Sequence, residues 1–136
     1  MKIALYFTCI IILRLIIIYR EAIFLKIGNR ENVSPQKFFE GKVVKRILIG
    51  EKDGAPGFTM RLFTLQPGAS TPYHNHSWEH EVFVLEGKLK IRSKNGEEVI
   101  ESGSFVFVEP DEEHQFVNID DGPSSFICVV PNYGEQ

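Results

Sequence analysis

From Lys42 onward the chain alternates short apolar runs with turn signals. Strand-like runs fall at Val43–Ile49, Phe58–Leu65, Thr71–His76, His80–Leu85, Lys88–Arg92, Glu97–Ile100, Phe105–Val108, His114–Asn118 and Ser125–Val130. Between them lie Asp53-Gly54, Pro67-Gly68, Glu86-Gly87, Asn95-Gly96, Ser102-Gly103, Pro110-Asp111 and Asp121-Gly122-Pro123. Short strands at this spacing predict an all-β sandwich or barrel. Asn95-Gly96 is the strongest hairpin signal, because both residues accept the positive φ of a tight hairpin turn. No stretch after Lys42 holds a 3.6-residue apolar period, and no internal repeat is visible.

The N-terminus breaks from this pattern. Ile3–Tyr19 is apolar except for Thr8 and Arg14, and its 17 residues sit at the lower limit for a bilayer span. Three readings stand for residues 1–24: a membrane anchor, translation from an upstream start with the functional chain beginning near Leu25, or a buried helix. A cleaved signal peptide is disfavoured, since no small-residue site follows the apolar run. Arg20, Lys26 and Arg30 outnumber Lys2 across it, which puts the following domain on the cytoplasmic side if the segment spans. Residues 25–41 read as a lead-in arm, with Ser34 capping and Pro35 starting a short helix through Phe38-Phe39. Residues 42–136 form the single expected domain.

Composition narrows the function classes. A chain of 136 residues with net charge −3 has no basic footprint for nucleic acid. The 11 Phe favour strands or a ring-lined cavity. Cys9 and Cys128, far apart in dissimilar segments, suggest free thiols in a reducing, cytoplasmic compartment.

The chemistry lies in the histidines. All four fall into one pattern: His74 and His76, then His80, then His114. Neutral imidazole is the commonest protein ligand for divalent transition metals. His74 and His76 share a strand face by parity, His80 opens the next strand, and His114 opens a later one. Strands of a curled sheet can bring such ligands to one point.

These residues resemble a family. Gly68-(x5)-His74-x-His76-(x3)-His80-(x6)-Gly87 is similar to the first cupin motif, and Gly103, Pro110, His114 and Asn118 match the second more loosely. The resemblance spans roughly Val43 to Pro131. It implies a cupin double-stranded β-helix, a jelly-roll barrel. The run from His74 through Trp78-Glu79-His80-Glu81 to Gly87 resembles small single-domain cupins that bind manganese through four histidines. That implies one divalent transition metal ion on His74, His76, His80 and His114, with manganese first and Fe, Zn, Ni or Cu as the other candidates. His80 stands where cupins usually carry glutamate; Glu81 has the wrong spacing and parity, and Glu79 lies further off register. Glu112 stands where glycine is expected, which questions the second motif's turn.

The expected function is a small metal-dependent oxidoreductase using dioxygen or peroxide on an organic substrate. The alternatives are a non-catalytic metal-anchored binding module and a sugar isomerase or epimerase. No separate catalytic acid or base is identifiable. Phe105, Phe107, Phe116, Phe126 and Cys128 are candidates for an apolar cavity wall. Trp78 and Tyr73 are expected to pack rather than line the mouth, and Glu79 and Glu81 to be solvated. Arg61 is expected on the barrel exterior. Phe83 and Leu85, facing outward, suggest a homodimer, and membrane contact arises only if residues 3–19 are an anchor.

Overall fold

A computed structural model describes residues 25–135. The apolar Ile3–Tyr19 segment and Cys9 lie outside the described residues. Among the described residues no helix is long and apolar enough to cross a membrane.

Among the described residues nine strands form two antiparallel sheets: β1 (Gln36–Phe38), β2 (Val43–Ile49), β3 (Phe58–Leu65), β4 (His80–Glu86), β5 (Lys88–Ser93), β6 (Gly96–Glu101), β7 (Phe105–Val108), β8 (His114–Asn118) and β9 (Ser124–Pro131). The larger sheet has the order β1-β2-β3-β9-β4-β7 and the smaller β6-β5-β8. This is the expected all-β jelly roll. A hairpin closes β5 on β6 as expected, but its two-residue turn is Lys94-Asn95, one residue earlier than Asn95-Gly96: Ser93 stands opposite Gly96, which opens β6, and Asn95 keeps a negative φ.

The core comes from inward rows of both sheets. Val43, Leu65, Val82, Val84, Phe126 and Val130 of the larger sheet meet Leu89 and Phe116 of the smaller. Each such side chain contributes ~1.5–3 kcal/mol relative to exposure. Strand β4 alternates as its pattern requires, with His80, Val82 and Val84 buried and Glu81, Phe83 and Leu85 exposed.

Two motif residues hold the frame. Gly87 turns the chain from one sheet to the other at φ 82°, and a Cβ there would sit 2.1 Å from Ser124 Oγ. The buried Asn118 donates to the Leu65 and Gly122 carbonyls and accepts from Ser124 Oγ and the Asp120 amide. Its hydrogen-bonding capacity is therefore spent on structure.

Two expected elements differ. The helix from Ser34 through Phe39 is instead strand β1, paired with β2, followed by a single 3-10 turn at Phe39–Gly41. A free sheet edge on β2 offers more backbone hydrogen bonds than an isolated short helix could keep. Thr71–His76 is no regular strand. It touches β8 through one isolated bridge, His74 with His114, with a second just before it, Ser70 with Val117, because Pro72 cannot donate to a ladder.

Candidate metal centre

The His74–His114 bridge places two histidines side by side. Each amide donates to the other's carbonyl, at 3.2 and 2.9 Å. The turn before β8 is fixed by the Asp111 amide donating to the His76 carbonyl at 2.7 Å. Asp111 takes a left-handed φ of 65°. It therefore supplies the turn geometry that the missing glycine at Glu112 put in question, a conformation Asp adopts more readily than most residues.

Three rings are oriented alike. Nδ1–H of His74 donates to the Pro72 carbonyl (2.8 Å), that of His76 to Trp78 (2.7 Å) and that of His114 to Glu112 (2.8 Å). A carbonyl only accepts, so each Nδ1 carries the proton and each Nε2 keeps a free lone pair. The Nε2 atoms of His76 and His114 are buried without a partner. A ligand nitrogen from each of the three lies within 4.8 Å of the others. Orphaned, convergent imidazole nitrogens fit a divalent transition ion.

The cupin-domain family profile, Cupin_2, matches residues 61–130. The chain belongs to the cupin family. Among solved structures it is similar to the polyketide cyclase RemF from Streptomyces resistomycificus, with 31% identity over 79% of each chain and a TM-score of 0.72. A predicted oxalate decarboxylase from Thermotoga maritima shares 20% identity over 79% of this chain and 99% of that one, with TM-score 0.70. A sugar phosphate isomerase from Silicibacter pomeroyi shares 23% over 78% and 75%, with TM-score 0.68. These last two show the fold alone. No curated protein sequence matches the chain.

In this cupin His80 differs from the other three histidines. It stands outside the 4.8 Å cluster. Its ring stacks on His76 with centroids 4.2 Å apart and planes 13° apart. In-plane lone pairs of nearly parallel rings do not meet at one point, so joining the cluster requires the His80 ring to turn. Its Nδ1 contacts Cys128 Sγ at 3.3 Å rather than a carbonyl. Burial, then the Arg61 charge, pushes its pKa down to about 2. Burial likewise lowers His76 and His114, against the carbonyls of Trp78 and Glu112 that favour their charged forms.

The cluster opens on a cavity of about 330 Å³, the lower end of the small-molecule range. Phe38, Phe39, Phe63, Phe116 and Phe126 supply much of its wall. Trp78 also lines it, stacked on the face of His76 away from His80 in ring order, with centroids 4.5 Å apart. Trp78 is thus part of the cavity as well as packing, whereas Tyr73 is exposed and lies under Arg92.

Two expectations are corrected. Phe105 and Phe107 do not line the cavity; they are 83% and 57% exposed on the outer face of β7, because the alternation there turns Val106 and Val108 inward. Arg61 is not on the exterior. It is 7% exposed and lines the cavity, where Glu135 and Cys128 satisfy two of its nitrogens. It shares its inward row with Leu65, and that neighbour was the available signal. Sequence reasoning missed Lys45 and Glu135. Lys45 could have been found from its place between Val43 and Ile47; nothing local marks Glu135.

Proposed function

We propose that this cupin is a metal-dependent enzyme acting on a small organic molecule held in its apolar cavity. The observation that carries it is the trio of Nε2 lone pairs left by three Nδ1–carbonyl bonds beside that cavity. His74, His76 and His114 would hold the ion, with His80 as the fourth ligand if its ring turned from its present contact with Cys128 Sγ. Neutral ligands leave the ion its full charge, so when bound it supplies strong Lewis acidity and, as manganese or iron, redox exchange with dioxygen or peroxide. The phenylalanine wall excludes water and orients the substrate's apolar body.

The oxidoreductase reading rests on the resemblance to four-histidine manganese cupins. A redox-neutral ring closure or isomerisation is the second reading, favoured by the 31% identity to a protein described as a polyketide cyclase. Outward Phe83, Leu85, Phe105 and Phe107 form the apolar face on which a second copy would pair.

Elemental analysis of protein purified without added metal tests the metal reading, with about one ion per chain expected. Histidine 80 is tested by His80→Ala, which should weaken metal binding by about 10–100-fold while His114→Ala abolishes it. Oxygen consumption during turnover selects the oxidoreductase; equal turnover without oxygen selects the redox-neutral class. Tight binding without turnover would make the protein a binding module and overturn both.

A further inference from the structure

A second polar cluster lines the same cavity. Lys45 and Arg61, 6% and 7% exposed, reach inward from the adjacent strands β2 and β3. Both pair with one carboxylate: Lys45 Nζ with Glu135 Oε1 at 2.5 Å and Arg61 with Oε2 at 3.2 Å. Among the described residues, two cations thus share one anion. Arg61 also donates to Cys128 Sγ at 3.0 Å, and its Nε is buried without a partner. Burying an unbalanced charge is costly, and a site that keeps one has a use for a counter-charge.

We propose that Lys45 and Arg61 form an anion subsite that takes the carboxylate of a small organic monoacid, its apolar body lying against Phe63, Phe116 and Phe126. The class follows from the wall. One surplus positive charge matches one negative charge, and away from the histidines the remaining surface is mostly apolar and rich in phenylalanine, which suits a ring or hydrocarbon rather than a phosphate dianion or a sugar. Only the Cys128 sulfur separates the Arg61 guanidinium from His80. An acid anchored at Arg61 therefore presents its neighbouring atoms to the histidine cluster. Glu135 occupies part of the subsite in the free protein, so a ligand carboxylate competes with it. This assignment names the substrate class for the function proposed above and rests on the cavity being the substrate site.

The test is binding of benzoate and its neutral isostere benzamide, read by fluorescence of Trp78, the chain's one tryptophan, which lines the cavity. Benzoate should bind at least about tenfold tighter than benzamide, both in metal-loaded protein and after chelation, since a charge-assisted bond exceeds a tenfold effect. Arg61→Gln should erase that preference. Glu135→Gln should bind benzoate about tenfold tighter than the natural chain, a gain that misfolding cannot produce. Equal binding of the two probes, no binding, or a preference that survives Arg61→Gln would overturn the subsite. Tighter competition by inorganic phosphate than by benzoate would overturn the carboxylate class. A chain that takes up no metal yet shows the Glu135→Gln gain would retain the subsite and remove the metal reading instead.

Discussion

The two polar walls of one cavity are stabilised in opposite ways. On the histidine wall burial favours the neutral rings of His76, His80 and His114, and three backbone carbonyls each accept a hydrogen bond from a ring Nδ1–H. On the lysine–arginine wall, among the described residues, Lys45 and Arg61 both pair with one carboxylate, Glu135. The first wall presents unpartnered ring nitrogens, whereas the second sets two cationic side chains against one carboxylate among the described residues. Their difference suggests a site that binds opposite charges a few ångströms apart, with Cys128 touching both walls.

The sharpest way to break this comparison is His114→Ala. His114 is the ring beside all the others, at centroid distances of 4.7 Å from His74 and 5.0 Å from both His76 and His80. Its loss should abolish stoichiometric metal binding, a fall of more than about 100-fold in affinity, read by metal titration with a chromophoric competitor. Retained stoichiometry would mean the wall is not a metal site.

The second wall is broken by Glu135→Gln, which leaves two buried cations without their carboxylate. Removing one partner of a buried charge network costs about 3–5 kcal/mol, measurable by urea denaturation. A neutral result would show that solvent reaches Lys45 and Arg61 freely.

Acid should act on the histidine wall. In the unfolded chain a histidine protonates near 6.5, whereas the folded chain holds His76, His80 and His114 lower. The unfolded state then binds more protons, so metal-free protein keeps this stability above about pH 6.5 and loses it as pH falls. For His80 alone the slope approaches about 1.4 kcal/mol per pH unit below 6.5. Denaturation midpoints at about pH 7.5 and about pH 5.5 check it, and a profile flat across that range would refute buried, neutral rings.

Cys128→Ala gives the smallest effect and probes the junction. It removes the sulfur that contacts His80 and accepts from Arg61, and should cost about tenfold in metal affinity. No change would leave His80 without a part in metal binding.

Much of the frame was readable along the chain. The inward row of β4 follows from a side-chain period of two, and a hairpin between β5 and β6 from the turn signal there, both acting between near neighbours. Legibility failed where the pattern alone leaves both faces open. Phe105 and Phe107 read as wall because aromatic rings favour burial, yet on β7 the valines face in. Arg61 read as exterior because an unpaired arginine belongs there; its partner was invisible.

Spacing by itself singled out the histidines that the fold brings together, and placed His80 and His114 at the starts of strands β4 and β8. Only tertiary structure decided that Lys45, Arg61 and Glu135 meet, that His80 stacks on His76 rather than joining the cluster, and that Arg61 turns inward. The physical reason is distance along the chain. Glu135 lies 90 residues from Lys45 and 74 from Arg61. Whether a buried charge is tolerable depends on which group the sheets bring beside it, and no local pattern carries that information.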